Sequence, residues 1–283
     1  MSLGLTRFQE LSRRHLLAEA MADCKSPIAP GDVVRVPLPI DRAILAEAVS
    51  LIEAKYWLRG FVNAEGQEDA AYQNVSLTFN PAIPGDPHHS TLGTASLSKR
   101  DFFYGNARTA SAVGSMRDSY YDTYGFRKLT PAAGVELSML TCRLKRSLVR
   151  SRLSIIRAGR PGPSNFMWGW HKDEPVFENL RINIHVTDSQ SHQIQIMRED
   201  RMPASREDQA LAQHCFMAGF CYSWDTHMPH RACTVLPAEN DRAAIVLGVS
   251  PWFDLDEEND EWVPNEFFGK KHPLQMLIDG DVI

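Results

Sequence analysis

Arg181-Ile-Asn-Ile-His-Val186 alternates polar and apolar residues without interruption. Successive side chains of an extended chain point to opposite faces. Ile182, Ile184 and Val186 can therefore pack while Arg181, Asn183 and His185 share the other side. Downstream, Gln193-Ile-Gln-Ile-Met197 alternates again. Phe220-Cys-Tyr-Ser-Trp224 and Ala243-Ala-Ile-Val-Leu-Gly-Val249 read as two more strands, the second apolar enough for the middle of a sheet. Upstream, Leu153–Arg157 is a further strand, followed by the Gly/Pro-rich loop Ala158–Asn165. Short strands punctuated by turn signals predict a mainly β fold, a sandwich or a barrel.

Further out the pattern is mixed. Leu5–Ala22 reads as a helix, and Asp41 can cap a second one over Ala43–Tyr56, with Leu45, Val49, Leu51 and Ile52 as its apolar face. Tyr72–Phe79 alternates as a strand before the Pro/Gly turn Asn80–Pro87. Residues 88–135 have no clean period and read as a covering region with loops. The charge run Asp254–Glu261 reads as a solvated surface segment. The expected organisation is a helical and mixed region over 1–135, a β core over 136–253 and a tail over 254–283, integrated as one domain.

Thirty basic residues against thirty-five acidic ones give a net charge of −5, which argues against a nucleic-acid partner. The basic run Arg143–Arg152 reads as a solvated face leading into a strand. No charged segment followed by an apolar one marks a secretory leader, and no apolar stretch is long enough to span a bilayer. Five cysteines without a C-x-x-C spacing fit buried thiols in a reducing compartment. A soluble, cytoplasmic protein without a membrane partner is expected. The sequence admits a homodimer without requiring one.

The chemistry is carried by Trp168-Gly-Trp-His171-Lys-Asp173, answered by Trp224-Asp-Thr-His-Met-Pro-His230-Arg231. His171 and Asp173 stand on alternate residues, so both can point to one side of a strand. A second imidazole from a distant strand would complete a two-histidine, one-carboxylate face on an octahedral metal. That geometry leaves positions for an organic co-substrate and O2, as in non-haem Fe(II) oxygenases. His230 is the expected second histidine, with His227 as its rival. Arg242, on the next strand, could grip the far carboxylate of a dicarboxylic co-substrate. Arg181 could instead form a salt bridge with Glu174 or Glu178. His185 and His192 read as a wall and a loop residue, and His88-His89 as exposed loop. Trp168 and Trp170 fit pocket lining or core equally well. Gln193 and Gln195 fit pocket or solvent, and Cys215, Cys221 and Cys233 read as core.

Four ordered stretches resemble the aspartyl/asparaginyl β-hydroxylase family of 2-oxoglutarate/Fe(II)-dependent dioxygenases. They are Leu153–Gly159, Asn179–Ile184, Gly219–Asp225 continuing to His230, and Asp241–Trp252. The resemblance implies a double-stranded β-helix (jelly roll, cupin-like) with the N-terminal helices packed on it. It implies that His171 and His230 bind Fe(II), joined here by Asp173, and that Arg242 with Ser154 holds the distal carboxylate of 2-oxoglutarate. Arg181 would reach the carboxylate beside the keto group. Two positions depart from the family pattern. The best-known animal members lack the carboxylate that Asp173 supplies, and Asn183 replaces a histidine on the strand of Arg181. Related halogenases need the position of Asp173 vacated, so hydroxylation is favoured.

The implied reaction is hydroxylation of an unactivated C–H bond by O2, with 2-oxoglutarate decarboxylated to succinate. A small polar substrate, an amino acid or natural-product intermediate, is the expected partner. Two other classes compete: a cupin-like dioxygenase or isomerase that does not use 2-oxoglutarate, and a non-catalytic jelly-roll binding module.

Overall fold

A computed structural model describes residues 17, 19–62, 68–81, 86–88, 123–158, 170–234 and 240–283. The expected strand Leu153–Arg157 is longer than its apolar part suggests: β6 runs over Leu148–Ile156. The others follow as β7 (Leu180–His185), β8 (Ser189–Met197), β9 (Leu211–Phe216), β10 (Phe220–Ser223), β11 (His230–Thr234) and β12 (Arg242–Val249). From the N-terminal side come β1 (Val34–Pro37), β2 (Arg59–Val62) and β3 (Glu68–Ser76), then β4 (Thr78–Phe79) paired with β5 (Lys128–Leu129).

These strands form a seven-stranded sheet, ordered β1-β10-β7-β12-β6-β3-β2, and a three-stranded sheet, ordered β11-β8-β9. His171 adds an isolated antiparallel bridge to His230 beside β11. From β6 the chain steps to the small sheet at His171, returns at β7, crosses to β8 and β9, returns at β10, and repeats through β11 and β12. This back-and-forth winding is the double-stranded β-helix (jelly roll). β1 extends the large sheet beyond β10, and β3 and β2 extend it beyond β6.

Alternation sorts the large sheet into two faces. Val149, Leu153 and Ile155 of β6, Ile182 and Ile184 of β7, and Ile245, Leu247 and Val249 of β12 are buried in the main core. They pack with Leu45, Ala48, Val49 and Ile52 of α1 (Arg42–Lys55) and Leu274, Met276 and Leu277 of α2 (Pro273–Ile278). Asp41 caps α1 by accepting from the Ala43 amide at 2.6 Å, as expected. Leu51 does not join the buried face and is 53% exposed. It stands six residues after Leu45, off the i, i+3, i+4, i+7 stripe that the other apolar residues follow. Of the expected first helix only residues 17 and 19–22 are described, and those are helical. Most of 88–135 also lies outside them.

One surface expectation is corrected in part: Arg143 and Lys145 of the basic run are exposed, but the end of the run that enters β6 is not. Arg150 of the basic run is 8% exposed, its guanidinium bound to Glu174 at 3.0 Å, and Arg146 pairs with Asp254 and Glu266 at 2.9 Å each. A strand buried on both faces leaves no solvent side for such a run, so these arginines are matched to carboxylates. The charge run near the C-terminus lies at the surface as expected, exposed over 257–261, and folds as a hairpin, β13 (Phe253–Asp256) with β14 (Glu261–Pro264), with Arg146 at Asp254 and Arg127 at Asp260. No helix among the described residues is long and apolar enough to cross a membrane.

Candidate metal centre

His230 opens β11, and its backbone exchanges two hydrogen bonds with His171, at 3.0 and 2.9 Å. The Asp173 amide donates to the Thr226 carbonyl at 2.9 Å. The His-x-Asp segment is thereby zipped to the approach of β11, which carries three ligand-type side chains to one point. His171, Asp173 and His230 each offer a donor atom, all within 4.8 Å of one another. Asp173 Oδ2 lies 3.5 Å from His171 Nε2 and 3.4 Å from His230 Nε2. This is slightly wider than the roughly 3 Å between adjacent oxygen or nitrogen ligands held about 2.1 Å from one octahedral ion. His230 Nδ1 faces the Met228 carbonyl at 2.9 Å. A carbonyl only accepts, so Nδ1 carries the proton and Nε2 presents its lone pair. Burial, then the neighbouring His171, holds the His230 imidazolium below its ordinary pKa despite Asp173. The donor set suits a divalent ion such as Fe(II).

Behind the triad lies a network of alternating charge. Arg181 donates to Asp173 Oδ2 and, at 2.6 Å, to Glu174 Oε2, while Arg150 reaches Glu174 Oε1. Burial pushes the Asp173 carboxyl up, but the Arg181 and His171 charges hold it well below its usual range. Glu174 shows the same balance: burial raises it and Arg181 and Arg150 bring it down to about 2, against Asp173. Arg181 thus makes the salt bridge that was its alternative reading, and it orients the metal-facing carboxylate.

The triad opens on a cavity whose wall also includes Ser154, Arg181, Asn183 and Arg242. All residues singled out for metal or co-substrate therefore meet in one place. Arg242 is 4% exposed, over the Phe216 ring at 4.7 Å and 3.3 Å from His185 Nε2, with no carboxylate partner among the described residues. Burial brings its pKa down to about 10, against Tyr72 and Cys233. His185 stacks on Phe216 at 3.8 Å, and burial with the Arg242 charge keeps it neutral. A neutral imidazole does not balance a guanidinium.

His227 is exposed and stands apart from the triad. His192 is not a loop residue: it lies in β8, 1% exposed. It shares the inner face of β8 with Ile194 and Ile196, so it cannot reach solvent. His88 is partly buried against Tyr56, ring centroids 4.8 Å apart, and His89 and Trp168 lie outside the described residues. Trp170 sits under the Arg231 guanidinium at 5.2 Å, and Gln195, buried, accepts from Arg231 at 2.7 Å. Of the three cysteines read as core only Cys221 is buried, its thiol pushed up to about 12 by burial. Cys215 is exposed and Cys233 half-buried, because alternate residues of the small sheet face outward. Sequence reasoning missed Tyr72, Arg152, Phe216 and Trp224 in the cavity wall. The signal was present for Arg152, which alternates with Ser154 on β6 as Arg181 does with Asn183 on β7.

The sequence matches no protein-family model and no curated protein. Among solved structures it is similar to an oxidoreductase of the 2OG-Fe(II) oxygenase family from Burkholderia pseudomallei, at 12% identity and a TM-score of 0.38, covering 83% of this chain and 90% of that one. It is also similar to the non-heme alpha ketoglutarate dependent epimerase SnoN from nogalamycin biosynthesis, at 11% identity and a TM-score of 0.36, covering 84% and 82%. A third is AviO1 from Streptomyces viridochromogenes Tue57, at 12% and 0.38, covering 82% and 93%. Likeness of this degree assigns neither reaction nor substrate.

Proposed function

We propose that the protein is an Fe(II)- and 2-oxoglutarate-dependent oxygenase that hydroxylates a small polar molecule. The observation that carries this is Arg242: a buried guanidinium without a carboxylate partner among the described residues, in the wall of the cavity that holds the His171–Asp173–His230 triad. Burying an unpaired charge is costly, and an anion from solution removes the penalty. A dicarboxylate fits, with one end at Arg242 and the other towards the triad. Bound Fe(II) would supply the oxidation of a C–H bond to C–OH by O2, coupled to conversion of 2-oxoglutarate to succinate and CO2.

The protein's own groups have separate tasks. His171, Asp173 and His230 present the ligand atoms, and Arg181 with Glu174 and Arg150 fixes the carboxylate. Arg242 with Ser154 receives the distal carboxylate, and Asn183 lines the wall between. The finer assignment, hydroxylation in the manner of aspartyl/asparaginyl β-hydroxylases, rests on the four sequence stretches. The carboxylate at Asp173 speaks against a cupin-like three-histidine enzyme.

The test is anaerobic addition of Fe(II) and then 2-oxoglutarate. Wild type should develop a visible charge-transfer band and should melt at higher temperature with metal bound. Arg242→Gln should weaken 2-oxoglutarate binding by at least about tenfold with metal affinity retained. Asp173→Ala should lose metal binding by more than about a hundredfold. Bound iron without a band in wild type would sink the 2-oxoglutarate assignment.

A further inference from the structure

Next to Ser154 the polar wall of the cavity continues beyond the groups assigned to metal and co-substrate, and β3 builds half of that extension. β3 lies outside the eight-strand winding and pairs with β6 in a register that sets Tyr72 opposite Ile156, Asn74 opposite Ser154 and Ser76 opposite Arg152. Tyr72, Arg152 and Ser154 line the cavity. Asn74 follows Tyr72 by two residues and so shares its face of the strand. The opposite face takes Val75 into the main core.

We propose that Arg152, Tyr72 and Asn74 form a carboxylate-binding subsite for the substrate, so that the molecule oxidised is a small amino-acid-like acid. This deepens the oxygenase reading and rests on it. Three observations carry the inference. First, the cavity wall holds three guanidinium groups, of Arg152, Arg181 and Arg242. Arg181 is committed to Asp173 and Glu174 and Arg242 is assigned to the co-substrate, while Arg152 stands against the Tyr72 hydroxyl and lines the cavity. Second, Asn74 is 0% exposed, yet its Oδ1 and Nδ2 have no hydrogen-bond partner among the described residues. A buried amide left unsatisfied costs free energy and marks a place where a ligand atom belongs. Third, the Tyr72 hydroxyl is held among cations. Burial would raise its pKa, but the Arg152 and Arg242 charges, with hydrogen bonds to Ser154 and Arg152, bring it below its ordinary value. A phenol in that field is a strong donor to an anion.

The wall therefore offers a guanidinium and a phenolic O–H to one side of the cavity, with the unsatisfied Asn74 amide next to them on the same face of β3, and no acidic side chain among its described lining residues other than Asp173. A carboxylate uses all three donors. An amide or ester of the same shape loses the charge-assisted bonds.

The experiment titrates free amino acids and their own carboxamides, by calorimetry, into Mn(II)-loaded protein saturated with 2-oxoglutarate, where turnover does not occur. At least one acid should bind wild type about tenfold or more tighter than its amide. Arg152→Gln should erase that preference and leave 2-oxoglutarate affinity within about twofold, and Arg152→Lys should restore part of it. An Arg152→Gln protein that loses 2-oxoglutarate instead would make Arg152 a co-substrate residue and overturn the proposal. So would equal binding of acids and amides by wild type, or binding of neither at millimolar concentration. Wild type that binds no 2-oxoglutarate but, loaded with Mn(II) alone, still prefers acids through Arg152 would sink the oxygenase reading and leave the subsite standing.

Discussion

At the scale of single residues, the site depends on which side chains stay charged when buried. Asp173 and Glu174 remain ionised because Arg181 and Arg150 face them, while burial and then the Arg242 charge hold the pKa values of His185 and His192 down. His192 makes this testable. Burial and the Arg242 charge lower its pKa from 6.5 to about 4, with Asp241 opposing. The unfolded chain therefore takes up a proton that the folded protein refuses. Its contribution to stability is present above pH 6.5 and is lost as pH falls from there towards 4. The melting temperature of wild type should drop over that window, and His192→Gln should flatten the drop. An identical pH profile for both proteins would refute this role. The sequence reading put His171 and Asp173 on one strand, whereas His171 makes only an isolated bridge and Asp173 lies outside the strands, and only contact shows which residues balance them.

At the scale of elements, β12 is where the sheet is tightest. Its register with β6 shifts between Val246 and Gly248, and a Cβ on Gly248 would lie 2.5 Å from the Arg150 carbonyl oxygen and 2.6 Å from Asn179 Oδ1. Backbone cannot yield as a flexible side chain can. Gly248→Ala should therefore destabilise the fold by about 1–3 kcal/mol in urea denaturation, through overpacking. Gly134→Ala, with nothing within 4 Å of the added Cβ, should not. Equal stability of the two variants would show that β12 tolerates the shift. Element types were readable because period-two alternation is local. Element lengths were not: β6 begins among arginines whose burial depends on Glu174, Asp254 and Glu266, distant in the chain.

At the scale of the whole molecule, two cores do different work. The large one joins α1 and α2 to the outer face of the seven-stranded sheet, and the small one, Ile194, Ile196, Phe216, Tyr222 and Trp224, lies between the sheets beside the site. Ile52, 0% exposed in the large core, should cost about 2–5 kcal/mol on replacement by alanine and leave metal affinity of the folded protein unchanged. Ile194 lines the cavity, so Ile194→Ala should also weaken 2-oxoglutarate binding. Calorimetry on both variants checks the division, and a loss of metal affinity in Ile52→Ala would contradict it. The sequence by itself determined the β core, the His-x-Asp pair with its distant histidine, and the arginine that follows. These are signals written in neighbouring residues by strand periodicity and ligand chemistry. Only the tertiary structure decided that β1, β2 and β3 widen the large sheet, that Arg181 belongs to the carboxylates, and that Tyr72 and Arg152 share a cavity with the triad. Those outcomes depend on which strands pair and which charges meet across the fold, and pairing between distant segments leaves no periodic trace in either one.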